Sequence, residues 1–146
     1  MTKTDDILGL TGGAGDQALV ERALGEFRSG RPVAILAEGK AVLVCGVEAF
    51  DLPLSQGLHR LAKGTPRLVL PAARLRRLGL DRKVPGSVAM PRLDVARIEM
   101  LAIVIDARID APVAPTDAFD AAALELARLA LTVPAVIVVP VDPSVL

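Results

Sequence analysis

The stretch PVAILAEGKAVLVCGV, residues 32–47, decides the fold more than any other part of the sequence. Two short apolar runs flank Glu38-Gly39-Lys40, and this arrangement predicts a β-hairpin with a three-residue glycine turn. Neither run alternates polar and apolar residues, so we expect both faces of both strands to be covered. Cys45 then lies inside a buried strand with no basic neighbour in view. We interpret it as a small core residue rather than a nucleophile.

Helical and strand patterns alternate along the rest of the chain. Apolar residues at helical spacing predict three helices, over 17–29, 54–63 and 72–78. Asp16 is the expected N-cap of the first helix and Asp117 that of a last helix, while Gly30 and Gly79 stand at C-terminal ends. Continuous apolar runs predict three more strands, over 67–70, 99–106 and 134–140. The proline-containing stretch 84–98 is expected to be loop. The pattern indicates an α/β (α+β) fold, a mixed sheet with helices packed on it.

The composition bounds what the chain can do. A length of 146 residues predicts one domain, over 16–141, after a flexible lead-in over 1–15 and before a tail or linker start over 142–146. Seventeen basic and seventeen acidic residues cancel, which argues against nucleic-acid and membrane partners. A single cysteine excludes an internal disulfide and is typical of a cytoplasmic protein. No apolar run is long enough to span a membrane.

Three local patterns have two interpretations each. The glycine-rich run 11–15 is expected to be part of the lead-in, because a phosphate-binding loop needs a strand before it. His59 is expected at the surface or at a helix end, because a zinc site needs convergent ligands and the chain has no second histidine. A basic patch could contact phosphate, but we expect it to form a solvated helix face that pairs with acidic groups elsewhere in the chain; it comprises Arg74, Arg76, Arg77, Arg82 and Lys83.

Three stretches, taken in order, resemble one enzyme family. They are VERALGEFRSGRPV at 20–33, LAKG at 61–64 followed by RLRRLGL at 74–80, and IDAR at 105–108 followed by TDAFDA at 116–121. They are similar to the opening helix and first strand, the "R-L-x-R-L-G-L" helix, and the "V-D-A-R" and "S-A-A-D-R-A" segments of 3,4-dihydroxy-2-butanone 4-phosphate synthase. The resemblance covers residues 19–131 and implies a truncated form of that riboflavin-biosynthesis fold.

The departures from the family concern its chemistry. The family carries an acidic "D-x-x-R-E-N-E-G-D" loop after its first strand, whose carboxylates hold Mg²⁺, whereas this chain has only Glu38 there, followed by Lys40. The family's phosphate-binding "T-T-G-I-S" segment matches 113–116, where Thr116 is the one hydroxyl residue. The metal-ligating histidine of "R-P-G-H-V-F-P" has no counterpart in 134–140. The comparison therefore implies no metal site, no cofactor and no assignable catalytic residue.

A narrower resemblance accounts for these losses. Some bacterial proteins join a degenerate synthase-like domain to a C-terminal GTP cyclohydrolase II domain, and the turn at 38–40 and the apolar exit at 136–141 look like that version. The resemblance implies a non-catalytic domain that acts in dimerisation or scaffolding. It also implies a homodimer and a cyclohydrolase domain as partner, in cis or in trans.

The alternative hypothesis is an active lyase with a rebuilt site. It would convert ribulose 5-phosphate to 3,4-dihydroxy-2-butanone 4-phosphate and formate with Mg²⁺. Its candidate catalytic residues are Glu38, His59 and Asp106, with Asp110 as a further carboxylate, and its candidate phosphate-binding residues are Lys40, Arg108 and Thr116. A third hypothesis is a phosphometabolite binder that uses Lys40, Arg108 and the basic helix.

Overall fold

Five strands form one sheet in the order β1-β2-β5-β3-β4, and every pairing is antiparallel. The computed structural model describes residues 14–146, and side chains from Val20 onward. The strands are β1 (Val33–Ala37), β2 (Lys40–Gly46), β3 (Arg67–Leu70), β4 (Gly86–Ala89) and β5 (Val136–Val141). The predicted α+β class and the hairpin over 33–46 are confirmed, and the sheet is antiparallel where a mixed one was expected.

The central strands are buried on both faces because their apolar residues point alternately to two cores. In β5, Val136 and Val138 belong to one core, whereas Ile137 and Val139 belong to the other. Strand β2 alternates between the same two cores, so the prediction from sequence that both of its faces are covered is confirmed. The prediction fails for β1, which lies at the sheet edge with Leu36 53% exposed.

Helices pack on both faces of the sheet. The helices are α1 (Ala14–Arg28), α2 (Leu52–Leu61), α3 (Ala72–Arg77), α4 (Val95–Ala102) and α5 (Ala118–Leu129). One core joins α1 and α5 to the sheet around Phe27 and Leu126, and the other joins α2, α3 and α4 to its opposite face around Leu58, Leu75 and Leu101. The sequence predicted α1, α2, α3 and α5, and these helices are confirmed; it did not predict α4.

Glycines in the left-handed region end α1 and α3, as predicted. Gly30 has φ 85° and Gly79 has φ 102°. In each case the glycine N–H bonds the carbonyl three residues back, and the next N–H bonds the carbonyl five residues back. This is a Schellman ending, in which the orphan carbonyls of the last turn find donors.

The start of α1 differs from its prediction. The helix begins at Ala14, so Asp16 lies within it rather than at its N-cap, and Gly15 is helical. Residues 1–13 of the expected lead-in, with most of the glycine-rich run, lie outside the described residues.

The stretch 84–106 is where the sequence-based expectation is wrong. Strand β4 and helix α4 replace the expected loop, and the expected strand over 99–106 is the end of α4 followed by a turn. Ile98, Leu101 and Ala102 are buried at helical spacing. The side chain of Asp94 accepts the Arg97 N–H at 3.2 Å and caps α4. A short apolar run does not distinguish a strand from a buried helix, and the cap decides for the helix.

The last two elements agree with the sequence. Asp117 caps α5 through a reciprocal capping box, since each of Asp117 and Asp120 accepts the backbone N–H of the other. Strand β5 lies in the middle of the sheet, and a 3₁₀ turn (Pro143–Val145) follows it. Among the described helices, none is long and apolar enough to cross a membrane.

Candidate functional site

The turn between β1 and β2 is shorter than a metal-binding loop. Ala37 pairs directly with Lys40, so only Glu38 and Gly39 form the loop. Both have positive φ, 54° and 75°. Two consecutive positive φ values are typical of a type I′ hairpin turn, whose twist matches that of the strands. The turn therefore places Lys40 at the first position of β2.

A surface hollow lies beside this turn, and we call it the cationic hollow. Its volume is about 280 Å³. It is lined by Gly39, Lys40, Ala41, Val42, Lys63, Arg67, Asp117, Phe119, Pro140, Val141 and Pro143. The Lys63 N–H donates to the Pro140 carbonyl at 2.8 Å, which holds the segment after α2 against β5. Three residues of the lining are therefore cationic, namely Lys40, Lys63 and Arg67.

Asp117 is the one carboxylate in the lining of the hollow, and both it and its capping-box partner Asp120 are engaged by Arg67. Arg67 Nε donates to Asp120 Oδ1 at 2.6 Å, and Arg67 Nη2 lies 3.2 Å from Asp117 Oδ2. The other two oxygens accept backbone N–H groups, Asp117 Oδ1 from Asp120 at 2.9 Å and Asp120 Oδ2 from Asp117 at 3.0 Å. All four carboxylate oxygens therefore have donors, and Arg67 ties the start of β3 to the start of α5.

The Asp120 carboxyl is nearly inaccessible to solvent. Its side chain is 3% exposed, and burial raises its pKa, while hydrogen bonds from the Asp117 N–H and from Arg67 act in the opposite direction. A buried carboxylate persists only with partners of this kind. The primary role of the Arg67–Asp120 pair is therefore structural, and it leaves Lys40 and Lys63 to set the charge of the hollow.

Three of the residues singled out by sequence belong to the lining of the hollow or adjoin it in the chain. Lys40 lines the hollow, Glu38 precedes it in the turn, and the half-buried Thr116 directly precedes Asp117. Sequence reasoning missed Arg67 and Lys63. The available signal was an arginine that opens an otherwise apolar strand, RLVL at 67–70.

The other candidates lie elsewhere. His59 lines a separate groove on α2. Arg108 donates to the Arg77 carbonyl at 3.1 Å, at the end of α3. Asp106 is exposed in the turn after α4. Asp110 pairs with Arg97 at 3.0 Å, and that hydrogen bond lowers the Asp110 pKa. These groups do not share a cavity with Lys40.

The basic patch of α3 is partly structural. Arg74 donates to the carbonyls of Met100, Leu101 and Val104, so its guanidinium satisfies the end of α4. Arg76 donates to the Arg82 carbonyl at 2.9 Å. The partners of these side chains are carbonyl oxygens rather than the acidic groups expected from sequence.

Cys45 is a core residue, as predicted. Its side chain is 1% exposed, and burial raises the pKa of its thiol to about 12. A thiol of that pKa is protonated at neutral pH and is a poor nucleophile. Within residues 14–146, no cluster of three or more histidine, cysteine or acidic side chains is arranged to hold a metal ion.

Comparisons with known proteins identify relatives of this chain in sequence and in structure. No protein-family model matches the chain. The GTP cyclohydrolase-2 proteins of two Xylella fastidiosa strains are 30% identical to it over 121 residues, which is 82% of this chain but 30% of each relative. The chain thus spans less than a third of the length of the curated relatives it matches.

Solved structures agree with the layered sheet described above. A cation-free 3,4-dihydroxy-2-butanone 4-phosphate synthase superimposes with a TM-score of 0.68 at 18% identity, covering 84% of this chain and 74% of that one. A two-domain synthase from A. baumannii gives a TM-score of 0.65 at 17% identity, covering 84% of this chain and 47% of that one. The class is thus an antiparallel sheet between two helical layers. In particular, the chain has the 3,4-dihydroxy-2-butanone 4-phosphate synthase fold, as the sequence resemblance predicted.

Proposed function

We propose that this chain is a non-catalytic synthase-like domain that serves riboflavin biosynthesis through dimerisation or scaffolding. The observation that carries the proposal is the cationic hollow. Lys40, Lys63 and Arg67 stand around the turn after β1, where a magnesium-dependent lyase would present carboxylates. The cytoplasmic location expected from sequence belongs to the same proposal.

The residues of the hollow do not fit Mg²⁺. The ion requires oxygen ligands in an octahedral arrangement, and negative charge on those ligands favours it. Every carboxylate oxygen of Asp117 and Asp120 already accepts a hydrogen bond, and Lys40 adds to the lining a positive charge that would repel the ion. Glu38 alone is left as an exposed carboxylate of the turn.

Calorimetric titration with MgCl₂ tests the missing metal site. We expect no saturable heat up to millimolar Mg²⁺, for the wild-type chain and for Glu38→Gln alike. Saturable binding that Glu38→Gln abolishes would show that a metal site exists at the turn, against the proposal.

The homodimer is the second part of the proposal. In the resembled family the active site is shared between two subunits, so an interface could outlast the chemistry. Light scattering at high micromolar concentration tests it. We expect a mass of twice the 15.2 kDa chain, and a monomer over the whole concentration range would remove this part of the proposal.

The third part is a GTP cyclohydrolase II partner. Its support is the similarity to proteins named GTP cyclohydrolase-2, which are more than three times as long as the matched region. The reading frame downstream of Leu146 tests the arrangement in cis, where a three-cysteine zinc pattern is expected. Without such a pattern, co-elution with a separately purified cyclohydrolase tests the arrangement in trans, and independent elution contradicts it.

The hollow also supports a second candidate function, the binding of a small phosphorylated metabolite without metal. The lining carries Lys40 and Lys63, and its one carboxylate, Asp117, is already paired with Arg67, so the charge of the hollow favours an anion. A thermal-shift screen with sugar phosphates and GTP tests this function. A shift that Lys40→Gln and Lys63→Gln abolish supports it, and no shift with any compound argues against it.

A further inference from the structure

A groove runs along α2 on the helical layer formed by α2, α3 and α4. Its helical wall presents Leu52, Ser55, Gln56, His59 and Arg60, which share one face because their spacing is i, i+3, i+4, i+7 and i+8. Its other wall is the segment 92–96, and the volume is about 810 Å³. At a rise of about 1.5 Å per residue, the helical wall is about 12 Å long. We call this feature the α2 groove.

The basic end of the groove carries side chains without partners. Within the described residues, the guanidinium groups of Arg60 and Arg92 make no hydrogen bond or ion pair, and neither does the ring of His59. By contrast, Arg74 and Arg97 of the same helical layer are engaged by carbonyls or by Asp110. The one acid of the groove, Asp94, already accepts the Arg97 N–H.

The other end of the groove is apolar. Leu52 is 60% exposed at the start of α2, which is a high value for a leucine on a helix that packs against a core. The floor is Leu93, which is fully buried, and the buried Ser55 hydroxyl donates to the Leu93 carbonyl at 2.6 Å. This bond fixes the floor to α2, so the groove is preformed.

We propose that the α2 groove binds an acidic, linear segment of a partner protein, with apolar side chains on Leu52 and carboxylates on Arg60 and Arg92. A linear segment fits because the site extends along a helix and is open to solvent on one side. Arginine is enriched at protein–protein interfaces, and the exposed Leu52 adds apolar area that a partner could bury. The lining has no phenylalanine, tyrosine or tryptophan on which a nucleotide base could stack. The proposal is independent of the riboflavin assignment.

Fluorescence anisotropy with a labelled peptide tests this site. The probe has leucines at one end and glutamates at the other and is long enough to span the groove, and a second probe replaces the glutamates by lysines. We expect only the glutamate probe to bind. The variant Arg60→Glu/Arg92→Glu should weaken binding by at least about tenfold, because charge repulsion replaces attraction at the docking end. Leu52→Ser should weaken it by about threefold or more through lost apolar contact.

The matched control is Arg22→Glu/Arg77→Glu, which makes the same change in net charge at exposed arginines outside the groove. It should bind the probe as the wild-type chain does. Equal loss in both double variants would mean unspecific charge attraction and overturn the proposal, as would no binding at millimolar protein. Displacement of the peptide by an equal concentration of inorganic pyrophosphate would identify a small-anion site instead. Thermal melts of each variant confirm that the loss is not unfolding.

Discussion

At the scale of single residues, Arg67 makes the ion pairs that connect two distant elements of the fold. It joins β3 to the capping box of α5 across a sequence separation of 53 residues and is the only described side chain that donates to Asp120. Sequence reasoning foresaw Asp117 as a helix cap, because a cap is a local pattern. It could not foresee Arg67, because the pairing of residues distant in sequence depends on how β3 and α5 meet in the fold.

Removal of Arg67 should be costly. In Arg67→Met the Asp120 carboxylate stays buried without its charged partner, so we expect a loss of about 3 kcal/mol in the free energy of unfolding. Urea unfolding measures it, with Arg77→Met, an exposed arginine of α3, as the control that should change little. The double variant Arg67→Met/Asp120→Asn should recover part of the loss, and an unchanged Arg67→Met would contradict the structural role.

Cys45 gives a residue-scale test of the sheet interior. Because its thiol is buried and its pKa is raised to about 12, we expect the native chain not to react with Ellman's reagent at pH 8. The same chain in denaturant should react with one equivalent. Rapid native reaction at the rate of a free thiol would mean that β2 is not covered on both faces.

At the scale of elements, the β1–β2 turn holds a non-glycine residue in the left-handed region. Glu38 has φ 54°, a conformation that asparagine adopts at lower cost. We therefore expect Glu38→Asn to raise the free energy of unfolding by up to about 1 kcal/mol and Glu38→Val to lower it. Thermal melts measure both, and a stabilising valine would rule out the type I′ turn.

Gly86 packs strand β4 against a neighbouring loop. A Cβ there would overlap Val113 Cγ1 and crowd Leu75 Cδ1. The loop is held in place because Ser87 and Ala114 exchange two backbone hydrogen bonds. Gly86→Ala should therefore cost about 1–3 kcal/mol through overpacking. Adding Val113→Ala makes room and should recover part of that loss in urea unfolding. Additive losses in the double variant would contradict the proposed contact.

Local sequence signals account for the elements that were predicted correctly. The β1–β2 hairpin has a tight turn, α5 has an N-terminal cap, and β5 is an uninterrupted apolar run. The run 99–106 carries a signal that strand and helix share, and Ile103, Val104 and Ile105 are exposed instead of forming a core strand. Arg74 ends α4 by binding its carbonyls from another element, and no local pattern reports that contact.

At the scale of the whole molecule, aliphatic side chains build two cores around one sheet. This organisation follows from the apolar central strands, and for that reason the fold could be predicted from the sequence. The candidate site could be predicted only in part. The tight turn at Glu38-Gly39-Lys40 can be read from the sequence, whereas the meeting of Lys40 with Lys63 and Arg67 in one hollow depends on the order of the strands in the sheet.

The central claim is that the synthase fold persists here without synthase chemistry. Formate release from ribulose 5-phosphate in saturating Mg²⁺ tests it most directly, with an active 3,4-dihydroxy-2-butanone 4-phosphate synthase as positive control. We predict that the chain releases no formate above the protein-free blank. Sustained release that scales with the amount of chain, and that Glu38→Gln or Lys40→Gln abolishes, would contradict the claim.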